Sequence, residues 1–214
     1  GFDIVAGRSG SGALAALPAD HLAGLRDTLV ALSVGYDTAI VDLAAGVEQS
    51  VRILSGAAAV RLVITTDEPT ALTDAYAFIK LTTLRGNPST TRIVVNMAAS
   101  ESDGRHTYTT LSKACQNFLG MTPALAGVVR RDRLVREAIR NQTPLLTRHP
   151  GCDAAADVDV DDEDGVVEDE DADVADEPLV VVDLLPPPHA ASSGVAAAMP
   201  APTTLARSSD RRLS

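Results

Sequence analysis

Over its first 150 residues the chain alternates between two hydrophobic patterns. Short, nearly continuous apolar runs at residues 2–6, 38–41, 59–65, 92–97 and 124–129 have the length and β-branched content of buried strands. Between them, apolar residues recur every three or four positions. Leu22, Leu25, Leu29 and Leu32 follow the helix-start signals Pro18 and Asp20, and Val47, Val51 and Leu54 make a second stripe that closes near Gly56. Leu72, Ala75, Tyr76 and Ile79 line one face of a helix for which Thr70 is the expected N-cap and which Gly86-Asn-Pro88 ends. Residues 108–119 and 132–141 are the last two predicted helices. Such regular alternation predicts a doubly wound α/β domain with a mainly parallel sheet.

Past Pro150 the periodicity stops. Residues 153–177 hold 14 acidic side chains, and residues 186–202 are rich in Pro, Ala and Ser. Neither stretch can bury enough apolar surface to offset the entropy of ordering, so residues 151–214 read as a disordered tail on a domain at 1–150. Within the tail, residues 179–185 form an apolar island, read as incidental although it could dock on the body or a partner. The acidic run is not a calcium loop. Val160 stands at the first ligand position before Asp162, Asp164 and Gly165, and Asp171 replaces the closing Glu.

Charge divides at the same point. Residues 1–150 carry 15 basic and 13 acidic residues, against 3 and 16 in residues 151–214, so the net −11 belongs to the tail. With no Trp and 3% aromatics, the core has to be built from Ala, Val, Leu and Ile. Cys115 and Cys152 form no C-x-x-C pair, and the four histidines show no metal spacing. No apolar run is long enough to span a membrane. Residue 1 is Gly and the first apolar run follows at once, as in a piece of a longer protein.

Candidate chemistry gathers where strands end, because ligands of open parallel sheets bind outside the carboxyl ends of the strands. Asp42 closes the run at 38–41 and precedes Ala44-Ala-Gly46. A carboxylate there can hold a hydrated Mg²⁺, while Gly46 lets backbone N–H groups approach a phosphate. The residue types alone fit a solvated or capping Asp equally well. Gly7-Arg-Ser-Gly-Ser-Gly12 has the G-x-x-x-x-G spacing of a phosphate loop, but Ala13-Leu14 stand where Lys and Ser/Thr are required. It also fails as a nucleophile elbow, because Ser11 occupies a glycine position. A structural turn is the expected role.

Three strings occur in order: Tyr36-Asp-Thr-Ala-Ile-Val-Asp-Leu-Ala-Ala-Gly46, Val63-Ile-Thr-Thr-Asp-Glu-Pro-Thr-Ala-Leu-Thr-Asp-Ala-Tyr-Ala-Phe-Ile-Lys80, and Ile93-Val-Val-Asn-Met97. Together they resemble the MinD/ParA-like P-loop ATPases, and within them the flagellar-number regulators of the FlhG/FleN type, over about residues 1–146. The Glu-Pro-Thr…Asp-Ala-Tyr-Ala…Ile-Lys string is the specific part.

The resemblance implies that Asp42 is the Walker B aspartate acting on Mg²⁺, usually through water, with Ala44, Ala45 and Gly46 as the turn that senses the γ-phosphate of ATP. It implies that Asn96 hydrogen-bonds the adenine edge. Gly127-Val-Val-Arg-Arg-Asp132 resembles the base-binding loop, with Asp132 in its acidic position and Arg130 where the family usually has Pro. As residue types, Asn96 also fits a strand-end turn and Asp132 a helix N-cap. Asp67 departs from the pattern too, and the Walker A lysine loop, first helix and switch I strand are missing, so this chain by itself is expected not to turn over ATP. A parallel sheet without its central strand leaves two edges unpaired, which predicts poor solubility.

For the complete protein the resemblance implies a cytoplasmic ATPase that dimerises on ATP, can be recruited to the cell pole or inner membrane face by partners, and sets flagellar number or placement. Its partners would be the flagellar GTPase, a flagellar transcription regulator or basal-body proteins. The basic group Arg130, Arg131, Arg133, Arg136 and Arg140 fits pairing with the acidic tail or solvation better than DNA or lipid, and the acidic tail does not fit a membrane helix. Two alternatives stand beside this one. One is a non-catalytic, degenerate paralogue that binds proteins; the other is a partitioning ATPase whose basic group contacts DNA.

Overall fold

The computed structural model describes residues 3–7, 13–83, 91–159 and, as backbone, 179–184. It contains one five-stranded sheet, all parallel. In chain order the elements are α1 (Ala19–Ser33), β1 (Ala39–Leu43), α2 (Gln49–Leu54), β2 (Val60–Thr65), α3 (Pro69–Thr83), β3 (Thr91–Ala98), α4 (Glu101–Leu119), β4 (Ala124–Arg130), α5 (Arg133–Arg140), α6 (Leu145–Arg148), α7 (Asp153–Val158) and β5 (Leu179–Leu184). The strand order is β1-β5-β2-β3-β4. The α/β architecture expected from the pattern is the one observed, with helices on both faces.

The two faces follow from the period of two along each strand. Leu43, Val63, Ile93 and Val95 project into one core with Val51 and Leu54 of α2, Ala75, Phe78 and Ile79 of α3, and Leu111 and Cys115 of α4. Leu25 and Leu29 of α1 pack against its margin. In β4, Val128 joins this core and its neighbour Val129 packs into a second cluster with Leu134, Val135, Leu145, Cys152, Ala154 and Ala155. Helices α5, α6 and α7 therefore cover the opposite face at β4. At the other end of the sheet Ile40 remains 68% exposed.

Several boundaries differ from those expected, each for a local reason. Helix α3 starts at Pro69, not after Thr70, because Pro pre-sets helical φ and its missing N–H is one the first turn cannot use anyway. Helix α4 starts seven residues before the expected 108. Ser100 caps it by accepting from the Asp103 N–H at 3.1 Å, and Glu101 and Asp103 sit in the positive first turn. Gly104 in that turn is what lets the helix approach: a Cβ there would lie 2.3 Å from Val128 Cγ1.

The run at 2–6 is no strand where it is described. Residues 3–7 are irregular, with Ile4 and Val5 77% and 81% exposed, because an apolar run becomes a strand only by finding an edge to pair with. One side-chain bond ties this stretch down, from the Tyr36 hydroxyl to the Asp3 carboxylate at 2.8 Å. Arg8 to Gly12 of the glycine loop lie outside the described residues, as do Gly86, Asn87 and Pro88.

Two elements lie past residue 150. Helix α7 is capped by Cys152, whose sulfur accepts from the Ala155 N–H, and it buries Ala154 and Ala155 against β4. Strand β5, from the apolar island read as incidental, runs parallel between β1 and β2. Val181 is in register with Val41 on one side and Arg61 on the other. The two facing edges, expected to be unpaired, are thus both paired. Six residues, five of them apolar and one Asp183, complete the backbone ladder between the two parallel edges.

Candidate functional site at the carboxyl edge of the sheet

Asp42 is the penultimate residue of β1 and not, as the pattern suggested, the first after it. It is exposed, and among the described residues its carboxylate has no hydrogen-bond or ion-pair partner, so its lone pairs are left for water or a cation. Ala44, Ala45 and Gly46 follow as the turn into α2. Gly46 has φ 118°, a left-handed value that any side chain would strain. No cluster of three or more metal-ligating side chains occurs among the described residues. A single carboxylate with water and ligand oxygens is nevertheless the usual way Mg²⁺ is held, so this donor set fits Mg²⁺ and does not suit a site requiring several protein ligands.

Asn96 lies on β3, in a bulge that shifts the register with β4 between Val95 and Ala98. Its Oδ1 accepts from the Met97 N–H at 2.8 Å, and Met97 takes φ 58°. A left-handed φ at a non-glycine residue inside a strand is uncommon, and bulges of this kind re-aim side chains at the ends of sheets. The Arg131 N–H donates to the Ala98 carbonyl at 2.8 Å, which joins the bulge to the turn after β4.

Asp132 accepts from the Leu134 N–H at 2.8 Å and is the N-cap of α5. Its carboxyl is held below the ordinary range by that amide first; burial is the next effect and opposes it, and the Cys152 thiol and the first residues of α7 add smaller lowering effects. Arg130 is engaged by α7. Its Nε donates to both Asp157 oxygens at 3.0 and 2.9 Å, its Nη2 to Asp157 Oδ1 at 2.8 Å, and its main-chain N–H to Oδ2 at 2.8 Å. Nη1 lies 3.1 Å from Asp153 Oδ1. The guanidinium accordingly holds the Asp157 carboxyl below its usual range.

The residues expected from the sequence thus fall into two groups on one edge. Asn96, Arg130 and Asp132 converge at the ends of β3 and β4. Asp42 and its turn stand at the end of β1, with β5 and β2 between, a separation of roughly 15 Å to β3 at about 4.8 Å per strand. Asp153 and Asp157 were not expected as site neighbours. Their signal was present as Cys152-Asp-Ala-Ala-Ala-Asp157, a short acidic-started helix, but it merges by composition into the acid run. Among the described residues, Arg130 alone of the basic group pairs with acids, and Arg131, Arg133, Arg136 and Arg140 are exposed. A cavity of about 340 Å³ lined by Arg52, Arg61, Gln49 and Thr82 among others lies at the start of β2, the opposite edge, and takes no part in this site.

No family model matches the chain. The chain is 35% identical over 150 residues to the antiactivator FleN of Pseudomonas aeruginosa, covering 70% of this chain and 54% of that protein. It is 29% identical over 110 residues to the flagellum site-determining protein YlxH of Helicobacter pylori, covering 51% of this chain and 37% of that one. Over these residues the chain is a homologue of the flagellar-number regulators of the MinD/ParA family. It spans about half the length of the first of these relatives and less of the second. A strand-end Asp followed by a glycine turn, and a polar bulge three strands away in the sheet, are the features with chemistry to offer. Both are present here at the same edge of the sheet.

Proposed function

We propose that the protein of which this chain forms part is an ATP-binding, dimerising switch that regulates flagellar number or placement. The observation that carries this reading is an exposed Asp42 near the end of β1, before the Gly46 turn, in a chain 35% identical over 150 residues to an antiactivator named FleN. In this reading Asp42 orients a hydrated Mg²⁺ on the ATP phosphates, which supplies Lewis-acid stabilisation of the developing charge when bound. Ala44, Ala45 and Gly46 offer backbone N–H groups near the γ-phosphate, and the change there on hydrolysis is passed to α2. At the far end, Asn96 offers the polar edge of its amide to an adenine, and Asp132 an acceptor for the exocyclic amino group. The span between the two groups suits a ligand with a base at one end and phosphates at the other. The ATP-bound dimer, cytoplasmic and able to be drawn to the pole or the inner membrane face, is what flagellar regulators, the flagellar GTPase or basal-body proteins would read.

Asp42→Ala in the complete protein, from its natural first residue, is expected to lower Mg²⁺-dependent ATP hydrolysis by two orders of magnitude or more, as loss of a transition-state charge clamp does. Turnover equal to that of the unaltered protein in a phosphate-release assay would sink the assignment.

A further inference from the structure

Helix α7 lies beyond the last element the sequence pattern predicts, yet it holds both ends of the turn that offers Arg130 and Asp132. At one end, Asp157 receives four hydrogen bonds from Arg130, three from the guanidinium and one from the main-chain N–H. The Asp157 side chain is only 15% exposed. At the other end, Asp132 accepts from the Leu134 N–H, and Leu134 packs against Ala154 and Ala155 of α7. Between them the Arg131 N–H is bonded to Ala98, at the bulge that carries Asn96. Bidentate charge-assisted bonds of this kind fix geometry as well as supply energy. The apolar contacts of Ala154 and Ala155 with Val129, Leu134 and Val135 seat the helix so that the bonds are made without rotamer search.

We infer that Asp157 is a positioning residue for base recognition: by clamping Arg130 it holds the turn from Arg130 to Asp132 in the one conformation that presents the Asp132 acceptor beside Asn96. This rests on the nucleotide reading proposed above. The selectivity of the site is then set from a helix at the start of the acidic run. Without the clamp, the Arg130 guanidinium is free to swing toward the base. As a cation with five donors it favours the carbonyl-bearing edge of guanine over the amino-bearing edge of adenine.

The test is equilibrium binding of fluorescent ATP and GTP analogues to the complete protein and to its Asp157→Ala, Asp157→Asn and Asp157→Glu variants. Asp157→Ala is expected to lower the ATP-to-GTP affinity ratio about tenfold, the size of one lost charged contact, with the Mg²⁺ dependence of binding retained. Asp157→Asn is expected to fall between, and Asp157→Glu to recover most of the ratio. A helix that only stabilises the fold would lower both affinities together and leave the ratio alone. An unchanged ratio in both Asp157→Ala and Asp157→Asn overturns the inference while sparing the nucleotide reading. Absence of any ATP binding by the unaltered protein overturns both.

Discussion

At the scale of single residues, Gly104 is, among the described glycines, the one where a side chain has no room. Gly104 sits in the first turn of α4 with Val128 and Ala98 where its Cβ would be. Val128 is branched and packed in the core, so it cannot swing aside as the end of a long side chain does. Gly104→Ala trades a gain in helix propensity of about 1 kcal/mol for a clash whose relief costs typically 1–3 kcal/mol. The net expectation is a loss of about 1 kcal/mol, and more for Gly104→Val, read as a lower midpoint in urea. An alanine variant as stable as the parent would show that α4 lies farther from the sheet than described. Cys115 marks the depth of the same core. Burial pushes its thiol up to about 11, so it behaves as a small apolar side chain and not as a nucleophile.

Ala75 and Ile79 of α3 and the strand cores were legible because their spacing is a direct print of the 3.6 and 2.0 periods, whereas Phe78, buried in the same core, fell outside the stripe of Leu72, Ala75, Tyr76 and Ile79. Gly104 was not legible. A glycine inside a polar helix reads as a weakness until the strand it touches is known.

At the scale of elements, what was readable is what one segment determines alone. The Ser100 cap and the Pro69 start are local signals that could have moved both helix boundaries, and the strands at 59–65 and 92–97 were placed to within a residue or two. Asp132 as an N-cap was likewise visible from its place before an apolar-periodic run. The Asn96 bulge and the Met97 conformation were not visible, because they arise from register between two strands and not from either strand's composition.

Strand β5 is the extreme case. Its residues declare only that they are apolar, and nothing local says which edges await them. The register is nonetheless definite and testable. With Val41 and Val181 as Cα partners, Val41→Cys with Val181→Cys is expected to form an intrachain disulfide on mild oxidation. Val41→Cys with Leu184→Cys, three residues out of register, is expected not to. Equal bridging of both pairs, or of neither, in peptide mass mapping would remove β5 from between β1 and β2.

At the scale of the whole molecule, the sheet divides the labour. In the reading proposed above, one end offers the Asp42 carboxylate and a glycine turn to phosphate and Mg²⁺, and the other a bulge and a capped turn to a base. The acidic tail is joined to the second end through α7 and to the strand of the first through β5. Binding energy spread across such an edge is what lets one ligand fix two distant turns at once. A switch needs that property, since a ligand shifts an equilibrium only by its differential affinity for the two states.

The most direct test of the switch is the mass of the complete protein in solution by analytical ultracentrifugation, with Mg²⁺ and either ATP or ADP. The account predicts a dimer with ATP that reverts to monomer with ADP, and a monomer in both when Asp42 is Ala. An assembly state that is the same with ATP, with ADP and without nucleotide would contradict it.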